Sequence, residues 1–286
     1  MRIIVTGATG QLGTDLAAEL LKRNHDVYGF GSRDLDITDA AAVSAALARL
    51  RPDAVMHCAA FTAVDLAEDE KERCDMINRV GTENIARACA EICCKLLYIS
   101  TDYVFPGDGD CPWQPDDPTE PLNYYGLTKY QGEEAVRAAT DMHFIVRISW
   151  VFGLHGKNFV KTMLRLGTER DVLTVVADQV GSPTYTRDLS VLLADMIETE
   201  HFGTYHATNE GYCSWYEFAE AIIHKAGLAA KVNPVMSAEY PTRANRPLNS
   251  RMSKDKLAEN GFHRLPSWED ALERFLKEME ISNGKD

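Results

Sequence analysis

The chain has 286 residues, 45% of them hydrophobic and 26% charged, which is enough for one large or two modest domains with a sizeable core. Its formal charge of -13 argues against a nucleic-acid partner, because affinity for a phosphate backbone comes from Lys and Arg. A small anionic ligand stays compatible with it, since basic side chains can cluster locally in an acidic surface.

No apolar run reaches membrane-spanning length, and the start, Arg2-Ile-Ile-Val-Thr-Gly, has no signal-peptide pattern. A cytoplasmic protein without a membrane partner is expected. The seven cysteines are odd in number and lack a C-x-x-C spacing, so no disulfide framework is expected. Cys89 and Cys93 have helical spacing without accompanying histidines, which fits buried apolar thiols better than a metal site.

In chain order, residues 2–6 read as a strand, followed by Gly7-Ala-Thr-Gly10-Gln11-Leu12-Gly13 and a helical pattern of Leu12, Leu16, Leu20 and Leu21. Strand, glycine turn and helix in that order suit a dinucleotide. Gly7 makes the tight turn, Gly10 lets backbone approach a pyrophosphate, Gly13 lets helix pack on strand, and the helix start offers free N–H groups. The plainer reading is an ordinary glycine-rich turn. A second strand over residues 26–31 leads to Arg33, Asp34 and Asp36. An acid after this strand suits a ribose 2′-hydroxyl and an Arg suits a 2′-phosphate, so Arg33 either favours NADPH over NADH or is simply solvated, while Asp36 and Ile37 line the adenine pocket.

A helix over residues 40–50 and a strand over 53–57 precede Cys58-Ala59-Ala60-Phe61-Thr62, whose small side chains leave backbone bare for a cofactor. A long helix over 70–91 carries Asn78, which serves either a proton relay or a helix-to-backbone bond. The strand over 95–100 ends at Thr101, where a parallel α/β sheet binds ligands. The loop 106–121, rich in Pro, Gly and Asp, covers the site or carries a partner contact. In Tyr125-Gly-Leu-Thr-Lys129 the phenol and ammonium share one helix face. A cation beside a Tyr stabilises its phenolate and brings its pKa toward the working range; the bland reading is two residues sharing a helix surface. A strand over 144–148 delivers Trp150, for a sugar ring or a core gap.

These alternating elements imply a doubly wound parallel α/β sheet. Further on are a helix opening at Asn158 to Lys161, a strand over 171–177, a loop 178–184, a helix over 188–200, a strand over 203–207, a capping box at Ser214 and Glu217, and an amphipathic terminal helix over 267–280. The loop 240–251 concentrates Arg243, Arg246 and Arg251 around two prolines, a local reversal of charge that suits an anion clamp. The expected division is a Rossmann-like NAD(P)-binding domain over 1–150, with 172–207 returning to it, and a smaller substrate-binding domain over 151–171 and 208–286.

With these residues in place, the chain resembles the extended short-chain dehydrogenase/reductases, through residues 6–13 and the Tyr125/Lys129 spacing. It resembles the dTDP-4-dehydrorhamnose reductase family more narrowly, through residues 100–107, 178–184 and 240–251. The resemblance implies hydride transfer from NADPH or NADH to C4 of a dTDP-4-keto-6-deoxy sugar. In it Tyr125 donates the proton, Lys129 binds the nicotinamide ribose, and Thr101 holds the same oxygen. It further implies that Ala59, Ala60 and Phe61 lie along the cofactor, that Asp102 and Trp150 lie near the sugar, and that Asn158, Lys161, Arg243 and Arg246 face the nucleotide. Some members of the family are described with Mg2+ supporting a homodimer; no distinct ligand cluster stands out here. Competing readings are an epimerase or dehydratase of another nucleotide sugar, and a cofactor-binding regulatory subunit like that of methionine adenosyltransferase.

Overall fold

The computed structural model describes residues 1–283. Five strands follow one another along the first half of the chain: β1 (Arg2–Thr6), β2 (Asp26–Phe30), β3 (Ala54–His57), β4 (Lys95–Thr101) and β5 (His143–Ile148). A sixth, Gly203–His206, pairs with the edge of β5, and all six run parallel in the order sixth strand, β5, β4, β3, β1, β2. β1 therefore has β2 on one side and β3 on the other, and such a reversal opens a crevice beyond the carboxyl ends of the strands.

The strands alternate their side chains between two apolar layers, as a period of two requires. Ile3 and Val5 face α1 (Gln11–Lys22) and the helix Thr186–Ile197, through Leu16, Leu20, Leu189 and Leu193. Ile4, Val55, Leu96 and Ile145 face α2 (Ala40–Leu50) and the helices Gly81–Ile92 and Tyr124–Ala139, through Val43, Leu47, Ile85 and Val136. Each fully buried Ile or Leu of this kind contributes about 1.5–3 kcal/mol.

A third cluster joins Phe152, Val160, Leu173, Phe218, Ile222 and Phe275. The strand expected over 171–177 belongs to it: Val172–Val176 pairs in parallel with Lys231–Val235, not with the main sheet. Its inward Leu173 and Val175 fill that cluster, so the chain returns to the main sheet only from Thr186. The capping box forms, with Ser214 accepting from the Glu217 amide and Glu217 accepting from the Ser214 amide.

The long helix expected over 70–91 is interrupted. Lys71–Asp75 and Gly81–Ile92 are joined by one wide π-turn, Met76–Val80. Asn78 causes the irregularity to be worthwhile: its amide accepts from the Phe61 N–H at 2.8 Å and donates to the Phe61 carbonyl at 3.1 Å and to Thr128 Oγ1 at 3.1 Å. Inserted turns of this type often carry such specific contacts.

Candidate active site

A cleft of about 830 Å³ opens at the carboxyl ends of β1 to β5. At one end is the glycine turn. Gly7 has φ +67°, and a Cβ there would come within 2.7 Å of the Ala59 amide. A Cβ on Gly13 would overlap the Gly7 carbonyl, so these positions must be bare for α1 to start against β3. Gly10 caps α1 without a side-chain hydrogen bond, which leaves the first N–H groups of the helix directed at the cleft mouth, where an anion is favoured. The cradle fits a dinucleotide pyrophosphate. Gly7, Gly10, Gln11, Leu12, Gly13, Asp36, Ile37, Ala59 and Ala60 all line it.

At the other end, Thr101, Asp102, Tyr125, Lys129 and Trp150 line the same cleft. The Tyr125 helix begins at Asn123, whose side chain accepts from the Gly126 N–H at 2.8 Å. Gly126 lies so close to the Tyr103 carbonyl that a Cβ would overlap it, and this approach sets Tyr125 beside the end of β4. Lys129 is buried, donates to the Ile99 carbonyl at 2.6 Å and sits 4.0 Å from the centre of the Tyr98 ring. Burial brings its pKa down to about 7, against the pull of the Glu133 carboxylate. Thr101 donates to Asp102 Oδ1 at 2.9 Å, and the Ser250 hydroxyl is a second hydrogen-bonding neighbour of this buried carboxyl. Burial pushes Asp102 up to about 6.

The phenol departs from expectation. Tyr125 is pushed up, first by burial and next by the Asp102 carboxylate, while a hydrogen bond with Thr101 works the other way. The Lys129 ammonium is directed at the Ile99 carbonyl, and desolvation outweighs whatever relief a cation one helical turn away provides.

Several expected site residues stand elsewhere. Arg33 is exposed on the loop after β2 and outside the cleft wall, although its neighbour Ser32 lines it. Phe61 is buried with Ala67 and Cys74 beneath the Tyr125 helix, away from the cleft, because Asn78 ties down its backbone. Asn158 caps the helix Phe159–Glu169 and donates to Gln11 Oε1 at 2.7 Å, and Lys161 Nζ donates to the carbonyls of Leu154 and Gly156; neither lines the cleft itself, but both hold the turn whose Gly156 and Lys157 do. Arg243 pairs with Asp69 and Arg246 with Asp65. The loop 106–121 does not line the cleft: Trp113 stacks on Phe105 with ring centres 5.0 Å apart and exchanges backbone hydrogen bonds with Arg251 and Ser253. Of the residues not expected, Trp215 lines the cleft, stacked 3.7 Å from Trp150. Its place in the capping box was the available signal, yet a box says nothing of what its first helical residue faces.

Among the described residues no group of three or more His, Cys, Asp or Glu could hold a metal ion, and no helix is long and apolar enough to cross a membrane.

A parallel doubly wound sheet with this cleft defines a protein of the short-chain dehydrogenase/reductase type. More narrowly, the model described as "RmlD substrate binding domain" matches residues 1–281, and the chain belongs to that family. A crystal structure of dTDP-4-dehydrorhamnose reductase from Bacillus anthracis in complex with NADP is similar at a TM-score of 0.95 and 46% identity, over 97% of this chain and 99% of that one. The dTDP-4-dehydrorhamnose reductase of Salmonella typhimurium is 40% identical, over 98% of each chain. The spore coat polysaccharide biosynthesis protein SpsK of Bacillus subtilis is also 40% identical, over 97% of each.

Proposed function

We propose that this chain is an NADPH-dependent oxidoreductase that reduces the C4 keto group of dTDP-4-dehydro-β-L-rhamnose, giving dTDP-L-rhamnose. The observation that carries the reading is the meeting of Thr101, Tyr125 and Lys129 in one cleft with the glycine turn, in a chain whose family membership spans nearly its whole length. The B. anthracis relative that holds NADP supports the phosphorylated cofactor.

The residues divide the work by position. The start of α1 and the bare Ala59–Ala60 backbone hold the cofactor. When bound, the reduced nicotinamide supplies the hydride. Thr101, its hydroxyl turning from Asp102 Oδ1, donates a hydrogen bond to the sugar's O4, and Tyr125 transfers its proton to that oxygen as negative charge develops there. Lys129 holds the ribose hydroxyls and, when protonated, stabilises the phenolate left on Tyr125. A phenol kept protonated by its surroundings is a poor acid until charge appears on O4, so its proton leaves only when the reaction calls for it.

The test is oxidation of NADPH and of NADH by the purified protein with dTDP-4-dehydro-β-L-rhamnose, beside Tyr125→Phe. Turnover in the wild type, falling about 10² to 10⁴-fold in the variant with cofactor binding retained, is the expected result. Equal turnover in both proteins would remove Tyr125 from the chemistry.

A further inference from the structure

Behind the cleft, one turn further along the Tyr125 helix from Lys129, lies a carboxylate that the chemistry above does not use. Glu133 is fully buried. Its oxygens accept from the Ser100 hydroxyl at 2.6 Å, from Arg147 Nε and Nη2 at 2.8 and 2.7 Å, and from Arg137 Nη2 at 2.8 Å. Ser100 and Arg147 are register partners on β4 and β5, so two neighbouring strands present their donors to one point on the helix. The residue before Ser100 is Ile99, whose carbonyl accepts from Lys129. Helix residues four apart thus engage adjacent strand residues, Lys129 with Ile99 and Glu133 with Ser100. Tyr98, two residues before Ser100, closes the pattern by donating to the Lys129 carbonyl at 3.2 Å.

Arg147 reaches further. Its Nη1 donates to the Pro115 carbonyl at 3.0 Å, and its guanidinium lies 4.9 Å from the centre of the Phe105 ring. One ion pair therefore joins the Tyr125 helix, two sheet strands and the loop 106–121.

We propose that Glu133, gripped by Arg147 and Ser100, is a positioning residue: it fixes the Tyr125 helix in register on β4 and keeps the Lys129 ammonium in place and charged. The energetics explain why a neutral residue is a poor substitute. A buried carboxylate is costly unless paired and fully hydrogen-bonded, and here four donors satisfy it. Its field then acts on a lysine that burial alone would neutralise. The groups facing Lys129 from elsewhere are His57 at the end of β3, Cys58 just after it, Cys74 of the helix Lys71–Asp75, and Tyr98 of β4. His57 is brought down to about 3 and Cys58 up to about 12 by burial, so both are uncharged at neutral pH, and the Glu133 carboxylate pulls Lys129 toward its charged form although Arg147 and Arg137 offset part of its field.

The proposal rests on Lys129 acting as described above, and it is tested without turnover. NADPH binding to the full chain is followed by cofactor fluorescence between pH 5 and 9. Affinity falls as Lys129 loses its proton, and Lys129→Met flattens that fall. In Glu133→Gln the fall begins about one pH unit lower, and Glu133→Asp returns it toward the wild-type position. Should Glu133→Gln not fold, Glu133→Leu combined with Arg147→Met removes both buried charges, an exchange that buried ion pairs commonly tolerate, and a downward shift is again expected, smaller because a cation leaves with the anion. A folded variant whose affinity falls at the wild-type pH would overturn the proposal, as would a fall that survives Lys129→Met. If the titration behaves as expected but the dTDP-sugar is not reduced, the substrate assignment fails and the role of Glu133 stands.

Discussion

Arg246 Nη2 lies 2.7 Å from Asp65 Oδ2, so the cation expected to clamp the substrate is held by an acid that follows the cofactor-side segment 58–62. The Asp65 carboxyl is in turn held below its usual range, chiefly by that guanidinium acting against burial. Two elements far apart in sequence are thereby latched together, next to the cleft-lining Val64.

From this pair follows a split in kinetic constants. Arg246→Ala should raise the KM for the sugar nucleotide roughly tenfold or more with little change in kcat, the range of one charge-assisted hydrogen bond. Asp65→Asn, which releases the guanidinium, should not raise it. An unchanged KM in Arg246→Ala would place this arginine in the latch alone.

Cofactor choice has its own test. Asp34 caps the Gly31 amide at 2.8 Å, and Asp36 accepts from the amide and hydroxyl of Thr38; both carboxylates have local work. Arg33, exposed beside the cleft-lining Ser32, is the cation within reach of a 2′-phosphate projecting from the cleft, and Arg33→Ala should raise KM for NADPH about tenfold and leave that for NADH alone. Equal effects on the two cofactors would show that Arg33 does not meet the 2′-phosphate.

Gly13→Ala places a methyl against the Gly7 carbonyl. The strain of overpacking at such a site is about 1–3 kcal/mol. The expected result is a lower Tm together with weakened NADPH binding, whereas unchanged values for both would mean that the turn can relax.

Asp102 links stability to pH. Its carboxyl, near 3.9 when unfolded, is pushed up to about 6 in the fold, so the folded state holds its proton more tightly. Stability is then fully present below about pH 4 and is lost as pH rises through about 6. Asp102→Asn should be more stable than the wild type at pH 8, by roughly 2–3 kcal/mol, and equal to it at pH 4. Denaturant unfolding at both pH values checks this; a variant less stable at pH 8 would mean that the hydrogen bonds of the carboxylate with Ser250 and Thr101 outweigh its burial.

Local signals in the sequence reached the glycine turn, the strand ends and the Tyr125 helix because each is specified by neighbours in the chain. Thr101 could be placed at a strand terminus from the run before it, and Gly13 from the helix after it. The family resemblance set Phe61 in a row along the cofactor; in the fold its side chain is buried with Ala67 and Cys74 and Asn78 bonds its backbone. The loop 106–121 read as a cover for the site or a partner contact, and Trp113 stacks it on Phe105 outside the cleft.

The sequence by itself determined the parallel α/β class, the dinucleotide turn and the spacing of Tyr125 and Lys129, because periodicity and short motifs are written in residues a few places apart. Only the tertiary structure decided what those groups feel: that burial raises Tyr125 and lowers Lys129, that Arg243 and Arg246 meet Asp69 and Asp65, and that Glu133 is gripped by Arg147. Desolvation and charge pairing depend on distances across the fold, and residues remote in the chain set them.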